Sequence, residues 1–222
     1  MKIVIERKRI RNLYMRFDQE DLLRITAPLS ASDVSIQRFI EHKRSWIEHT
    51  QKRIRQNIAI DAEDLRHERL YWFGKPLTFT ICKGKVNHAV YADSALRFTL
   101  KEQTDEAFRQ AFRRLSERTL AGLIHEEREK WDRDICLRHG LRLPSISLRY
   151  MVSRWGVCRP DDAHITISTR LIHYPRECLS YILLHEYVHF LVRNHSAAFY
   201  KEVSKRMADY EEAQNLLKGE FQ

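Results

Sequence analysis

The amino-acid sequence predicts an α+β protein: a β-rich N-terminal part with one amphipathic helix, then a helical part with a small sheet. Two observations carry this expectation. Short apolar–polar alternations, the period of a half-buried strand, recur through most of the first hundred residues. Beyond them the apolar spacing lengthens to the helical 3.6, in the stretches that begin near Asp105 and Pro175. With 222 residues the chain can bury a sizeable core, and 43% hydrophobic with 31% charged residues suits a folded polymer rather than a disordered one.

The elements follow in order. KIVIERKRIRNLYMRFDQEDLLRITAP reads as β-hairpins: Ile3 and Ile5, then Leu13, Met15 and Phe17, then Leu22, Leu23 and Ile25, with a polar turn from Asp18 to Asp21 and an end at Pro28. Ser32 or Asp33 then caps a helix over about 34–57. Ile36, Ile40, Ile47 and Ile54 fall within one narrow arc, widened by Phe39 and Trp46. Lys43, Arg44, Lys52, Arg53 and Arg55 occupy its other face. Strand patterning returns in RLYWFGKPLTFTICKGKVNHAVYADSALRFTLK, with turns at Gly74-Lys75-Pro76 and Lys83-Gly84-Lys85. A long charged helix is expected from Asp105 to about His139, with Gly140 just past its end. SISLRYMVSRWGVC and AHITISTRL read as two strands around a turn, and Pro175 opens the last long helix. A boundary near Lys101 to Thr104 divides the chain into parts 1–102 and 103–222, unless they form one continuous domain 1–222.

Composition narrows the class. No run of about 18 apolar residues occurs, so no transmembrane helix and no membrane partner are expected. MKIVIERKRIRN lacks the apolar core of a secretory signal. The cysteines, Cys82, Cys136, Cys158 and Cys178, form no CxxC pair and read as free thiols of a reducing cytoplasm. Of the formal charge of +9, +6 lies in residues 1–60, with 13 Lys/Arg against 7 Asp/Glu. That N-terminal excess can face nucleic acid, nucleotides or an acidic protein, or simply solubilise the surface.

The chemistry concentrates in LLHEYVHFLVRNHSAAFY. His185-Glu186-Tyr187-Val188-His189 is an HExxH pattern. On a helix, His185 and His189 share one face and can bind one Zn²⁺, one ion per chain. Glu186 is rotated away, so it can approach a water activated by the metal without being a ligand. His195, six residues past His189, is the first candidate for a third ligand; Glu202, Glu211 and Glu212 are alternatives. Asn194 tolerates the left-handed backbone that a sharp turn before His195 would use, and Ser196 can cap a following helix with Phe199, Val203 and Met207 on one face. The expected chemistry is hydrolysis, with Glu186 as general base and an oxyanion donor among Arg154, Arg193, Tyr181 and Tyr200.

SRWGVC, ITISTRL and YILLHEYVHFLVRNHSAAFY together resemble the YgjP-like metallopeptidase family, whose pattern runs roughly SRWGSC, IxLNxxL, VxHELxHxxxxNHSxxFW. ITAP and FIEHKRSWI are also similar, so the resemblance spans about Ile3 to Met207. It implies a zincin-like catalytic part, related to WLM and SprT-like proteins, with metal ligands at His185, His189 and His195 and Glu186 as base. Arg154 and Trp155 match the pattern as possible substrate contacts. Val157, Ser168 and Tyr187 depart from it, and Val192 stands where a metzincin has glycine. The resemblance implies a protein or peptide substrate, and through the SprT-like relatives a DNA-associated one. Two other functions fit the residues. A nucleoside-triphosphate pyrophosphatase would use the same metal with Arg154, Arg170 and Arg193 on phosphates. A non-enzymatic binding module would hold structural zinc with Cys158 or Cys178 as fourth ligand.

Overall fold

The computed structural model describes residues 1–19, 22–48, 50–51 and 69–218, in two compact units: Met1–Ala59 with Met151–Arg154, and Ile60–Tyr150 with Trp155–Gln222. In the first unit three strands, β1 (Lys2–Lys8), β2 (Tyr14–Gln19) and β3 (Leu22–Pro28), pair in the order β1-β3-β2. Strict alternation explains the centre: Leu23, Ile25 and Ala27 of β3 are all fully buried. Only β2 and β3 form the expected hairpin; β1 runs parallel to β3, so the chain crosses from β1 to the far side of β3 before returning.

Helix α1 (Asp33–His42) covers this sheet through Ile36. Ser32 is its N-cap, its Oγ accepting from the Ser35 N–H at 3.2 Å. The helix is shorter than its apolar arc predicts. At Lys43 the N–H is shared by the Phe39 and Ile40 carbonyls, both at 3.1 Å, and φ/ψ leave the helical region before residues 44–48 become helical again. Ile47 still reaches the core beside Phe17 and Leu23. Lys52, Arg53, Ile54 and Arg55, and the turn residues Glu20 and Asp21, lie outside the described residues.

The second unit begins with β4 (Arg69–Trp72), β5 (Lys75–Lys83), β6 (His88–Ala92) and β7 (Ala95–Leu100), in the order β4-β5-β7-β6. The first turn falls at Phe73-Gly74, both with positive φ, one residue earlier than the proline suggested; Lys75 and Pro76 already belong to β5. Gly74 is required twice over: its φ is +78°, and a Cβ there would lie 2.8 Å from the Pro175 ring. The Phe73 and Gly74 N–H groups bond to the Ile172 and His173 carbonyls at 2.7 and 3.2 Å, tying this turn to the residues before the last long helix.

Helix α2 (Asp105–Trp131), capped by Thr104, packs Phe108 and Phe112 onto Phe98 and Trp72 of the sheet. The long helix extends toward His139 as predicted but changes pitch, to a π turn over Asp132–Cys136 and a 3₁₀ turn over Leu137–His139. Gly140 then takes φ +65° and closes it. The run expected as one strand from Ser145 is two, β8 (Ser145–Arg149) and β9 (Gly156–Arg159), on opposite sides of β10 (His164–Ser168). β8 is parallel to β10 and β9 antiparallel. Helices α3 (Arg176–Val188), α4 (Ala197–Ser204) and α5 (Tyr210–Lys218) complete the unit. One continuous core joins both of its sheets to α2 and these helices.

Candidate metal centre

Helix α3 carries His185 and Glu186, ends on His189 as its C-cap, and buries Leu179, Leu183, Leu184, Tyr187 and Val188. Polar anchors fix its rotation. The Tyr187 hydroxyl donates to Asp132 Oδ1 at 2.6 Å, Arg128 Nε donates to Asp132 Oδ2 at 2.9 Å, and Ser180 Oγ donates to Glu127 Oε2 at 2.8 Å. Asp134, in the same π turn as Asp132, accepts from Arg206 Nε at 2.5 Å, and Arg206 also donates to Glu202 of α4 at 2.7 Å. A single irregular turn thus anchors both helices that flank the histidines, a use for which π turns recur at functional sites.

α3 stops because its carbonyls are taken up early. The Leu191 and Val192 N–H groups both bond to the Val188 carbonyl at 2.9 Å, and His189 occupies the C-cap. His189 Nδ1 lies 3.2 Å from the Val192 carbonyl, which fixes its tautomer and leaves Nε2 with its lone pair. The reversal before His195 uses no left-handed residue, so the role expected of Asn194 falls away. Ser196 sits at the α4 N-cap with extended φ/ψ, but its side chain makes no capping bond.

This path brings His195 back over the helix. The ring centroids of His185, His189 and His195 form a triangle with sides of 5.0, 4.8 and 4.8 Å. Phe199, fully buried, backs all three rings at 4.7, 4.7 and 5.0 Å. Among the described residues these three histidines form the one cluster able to hold a metal ion, with ligand atoms within 4.8 Å of one another. The donor set fits such an ion. Burial, then His189 and His195, push the His185 pKa down to about 3; burial chiefly lowers that of His189. Both are neutral at pH 7, with lone pairs available. His185 Nε2 and His195 Nε2 stand 2.9 Å apart, against roughly 3.4 Å for two nitrogens on one tetrahedral ion, so a small opening suffices.

Glu186 is 4% exposed. Its charge is felt at Cys158, whose thiol is pushed up to about 12, first by burial and then by this carboxylate. Two of the alternative ligands are engaged elsewhere, Glu202 with Lys205 and Arg206 and Glu211 with the Tyr210 hydroxyl, and Glu212 is not among the clustered ligands. Cys158 and Cys178 are not among the clustered ligands, and Cys178 donates to the Ala213 carbonyl at 3.8 Å.

The other candidate residues divide. Arg154 is exposed and belongs to the first unit. Trp155 stacks under Arg170 at 4.6 Å and meets Tyr174 edge-on, a packing role. Arg170 is 2% exposed, and Arg193 is paired with Asp161 at 2.6 Å, so two of the three arginines considered for phosphates are committed. The Tyr181 hydroxyl accepts from Gln214 at 3.1 Å. Tyr200 is half-buried, with its ring 6.5 Å from His195. The sequence reading missed Asp132 and the Val192 carbonyl. Tyr187 was the available signal for the first, because a tyrosine buried where leucine is usual needs a hydroxyl partner. A backbone carbonyl leaves none.

Two imidazoles one helical turn apart, an acid beside the first and a third imidazole from the next turn make this a metal-dependent hydrolase of mixed α+β, zincin-like fold. The chain belongs to the YgjP-like family: the family's metallopeptidase domain matches residues 11–220. No curated protein matches the sequence. No helix among the described residues is long and apolar enough to cross a membrane.

Proposed function

We propose that the chain is a cytoplasmic zinc-dependent endopeptidase, with His185, His189 and His195 holding one zinc ion and Glu186 as general base. The observation that carries this is the convergence of three imidazoles beside an enclosed carboxylate. Three histidines are a donor set of open, catalytic zinc sites, whereas structural zinc takes four protein ligands. Bound there, the ion supplies Lewis acidity, acidifying a water molecule and polarising the carbonyl under attack. Glu186 removes the proton from the attacking water and delivers it to the leaving amine. Phe199 and the Val192 carbonyl hold the imidazoles in place. Tyr200 is the hydrogen-bond donor to the developing oxyanion, since its hydroxyl makes no hydrogen bond among the described residues while Tyr181 and Arg193 are engaged.

Elemental analysis and casein hydrolysis on the same preparations test this reading. Wild type and Glu186→Ala should hold about one zinc per chain, while His185→Ala and His195→Ala should lose it. Glu186→Ala should hydrolyse about 10²–10⁴ times more slowly. A zinc-free wild type after reconstitution, or a fully active Glu186→Ala, would overturn it. Release of pyrophosphate from nucleoside triphosphates would shift the substrate to phosphoanhydrides.

The N-terminal unit is the proposed contact for DNA-associated substrates. Lys2, Arg9 and Arg11 make no ion pair among the described residues, unlike Arg7, Arg16 and Arg24. DNA affinity should fall steeply with salt. Absence of binding at low salt would remove this partner.

A further inference from the structure

β9 is an edge strand, and its first residue, Gly156, faces the Glu186 carboxylate. Its backbone φ is not in the left-handed region, so a side chain is excluded there by space rather than by torsion. A Cβ at Gly156 would lie 2.4 Å from Glu186 Oε1, 2.7 Å from its Cγ and 2.8 Å from its Cδ. Both partners are held, though not equally. Gly156 is paired with Ile167 of the central strand β10, and Ile167 is fully buried. Glu186 is enclosed on a helix that the Tyr187–Asp132 bond holds in rotation. A glutamate on an open surface would swing its carboxylate aside; this one, 4% exposed, has little open space to swing into.

We infer that Gly156 is a positioning residue for Glu186: the missing side chain on β9 is the seat of the carboxylate and fixes where the base meets the attacking water. This rests on the reading of Glu186 as the base, but the existence of the seat does not. Of the two partners the carboxylate is the softer, because moving the strand would disturb the β9–β10 ladder. Gly156→Ala therefore displaces the base and leaves the three histidines as they are. A misplacement of about 1 Å in a catalytic group is enough to cost a large factor in rate.

A four-variant cycle tests this: wild type, Gly156→Ala, Glu186→Ala and the double variant. Glu186→Ala removes all three atoms that the new methyl would strike. Gly156→Ala should lower Tm on the order of 5 °C in the wild-type background. In the Glu186→Ala background the same change should lower it by about 1 °C or less, because the two sites are directly coupled. Zinc content should be equal in all four. In peptide hydrolysis Gly156→Ala should lower kcat by about tenfold or more with KM unchanged, the signature of an interaction lost in the transition state. Equal Tm losses in both backgrounds would overturn the inference, since the strand and not the carboxylate would then be injured. Wild-type Tm and kcat in Gly156→Ala would overturn it as well. If Gly156→Ala alone fails to fold, recovery in the double variant supports the seat, and failure of both rejects it. A fully active Glu186→Ala would remove the base and with it the positioning role, whereas the melting cycle decides on the seat without substrate or metal.

Discussion

The two units of the chain use charge in opposite ways. In the N-terminal unit the charged groups are mostly solvated: Arg44 pairs with Glu41, and Arg7 with Asp33, on exposed surface. Arg24, between Glu6 and Asp18, is the most enclosed of its ion-paired cations among the described residues. The unit's core is two small clusters, Phe17 with Leu23 and Ile47, and Ile25 with Ala27 and Ile36. In the second unit one core runs through everything, and polar side chains such as Arg170, His173 and Glu186 are buried in it, beside the enclosed Tyr187–Asp132 bond. A polar contact weighs according to the water it displaces. The same kind of bond is near neutral where water can replace it and costly to lose where water cannot.

Substitutions can break that contrast, starting from the largest effect. Phe199→Ala leaves a hole behind all three imidazoles and should cost about 3–5 kcal/mol in urea unfolding. It should also weaken zinc binding in a competitive titration; full affinity would mean that the rings hold their places without it. Tyr187→Phe takes one donor from Asp132 and should cost about 1–2 kcal/mol by the same measurement.

Acid sharpens the comparison. Lys205, then Arg206, hold the Glu202 carboxyl below its ordinary value of 4.5. A folded pKa below the unfolded one means that this stability is complete above the ordinary value and is lost as pH falls through the folded one. The Tm gap between wild type and Glu202→Gln should therefore stay constant above about pH 5.5 and close in more acid solution. A gap that widens in acid would reverse the sign of the argument. At the small end, Arg44→Ala should leave Tm unchanged within error, because both partners are well exposed.

Much of this was legible from residue spacing, and the failures share a cause. Each of the three sheets places one strand between the two that precede it in the chain: β3 between β1 and β2, β7 between β5 and β6, β10 between β8 and β9. Period-two alternation identifies strands but not their neighbours, so consecutive strands read as hairpins. Burial marks the central strands afterwards, through Leu23 and Ile25, Leu96 and Phe98, Ile165 and Ile167. The break at Lys43 was invisible for a related reason: an apolar arc persists across a one-residue kink, as Ile36 and Ile47 show.

The sequence by itself determined which side chains could meet a metal. The i, i+4 spacing of His185 and His189 is a property of any helix, and the HExxH pattern places Glu186 beside them wherever that helix lies. It also placed the start of α1 at Ser32 or Asp33 and that of α2 at Asp105, close to the observed starts, because helix-start signals are local. Tertiary structure alone decided that His195 returns to the pair, that Phe199 backs the three rings, and that Asp132 fixes the helix through Tyr187. It alone decided that Gly156 lies against Glu186, thirty residues away in the chain. These are contacts between segments whose approach is set by core packing, and packing depends on the shapes of many side chains at once rather than on any spacing along the chain.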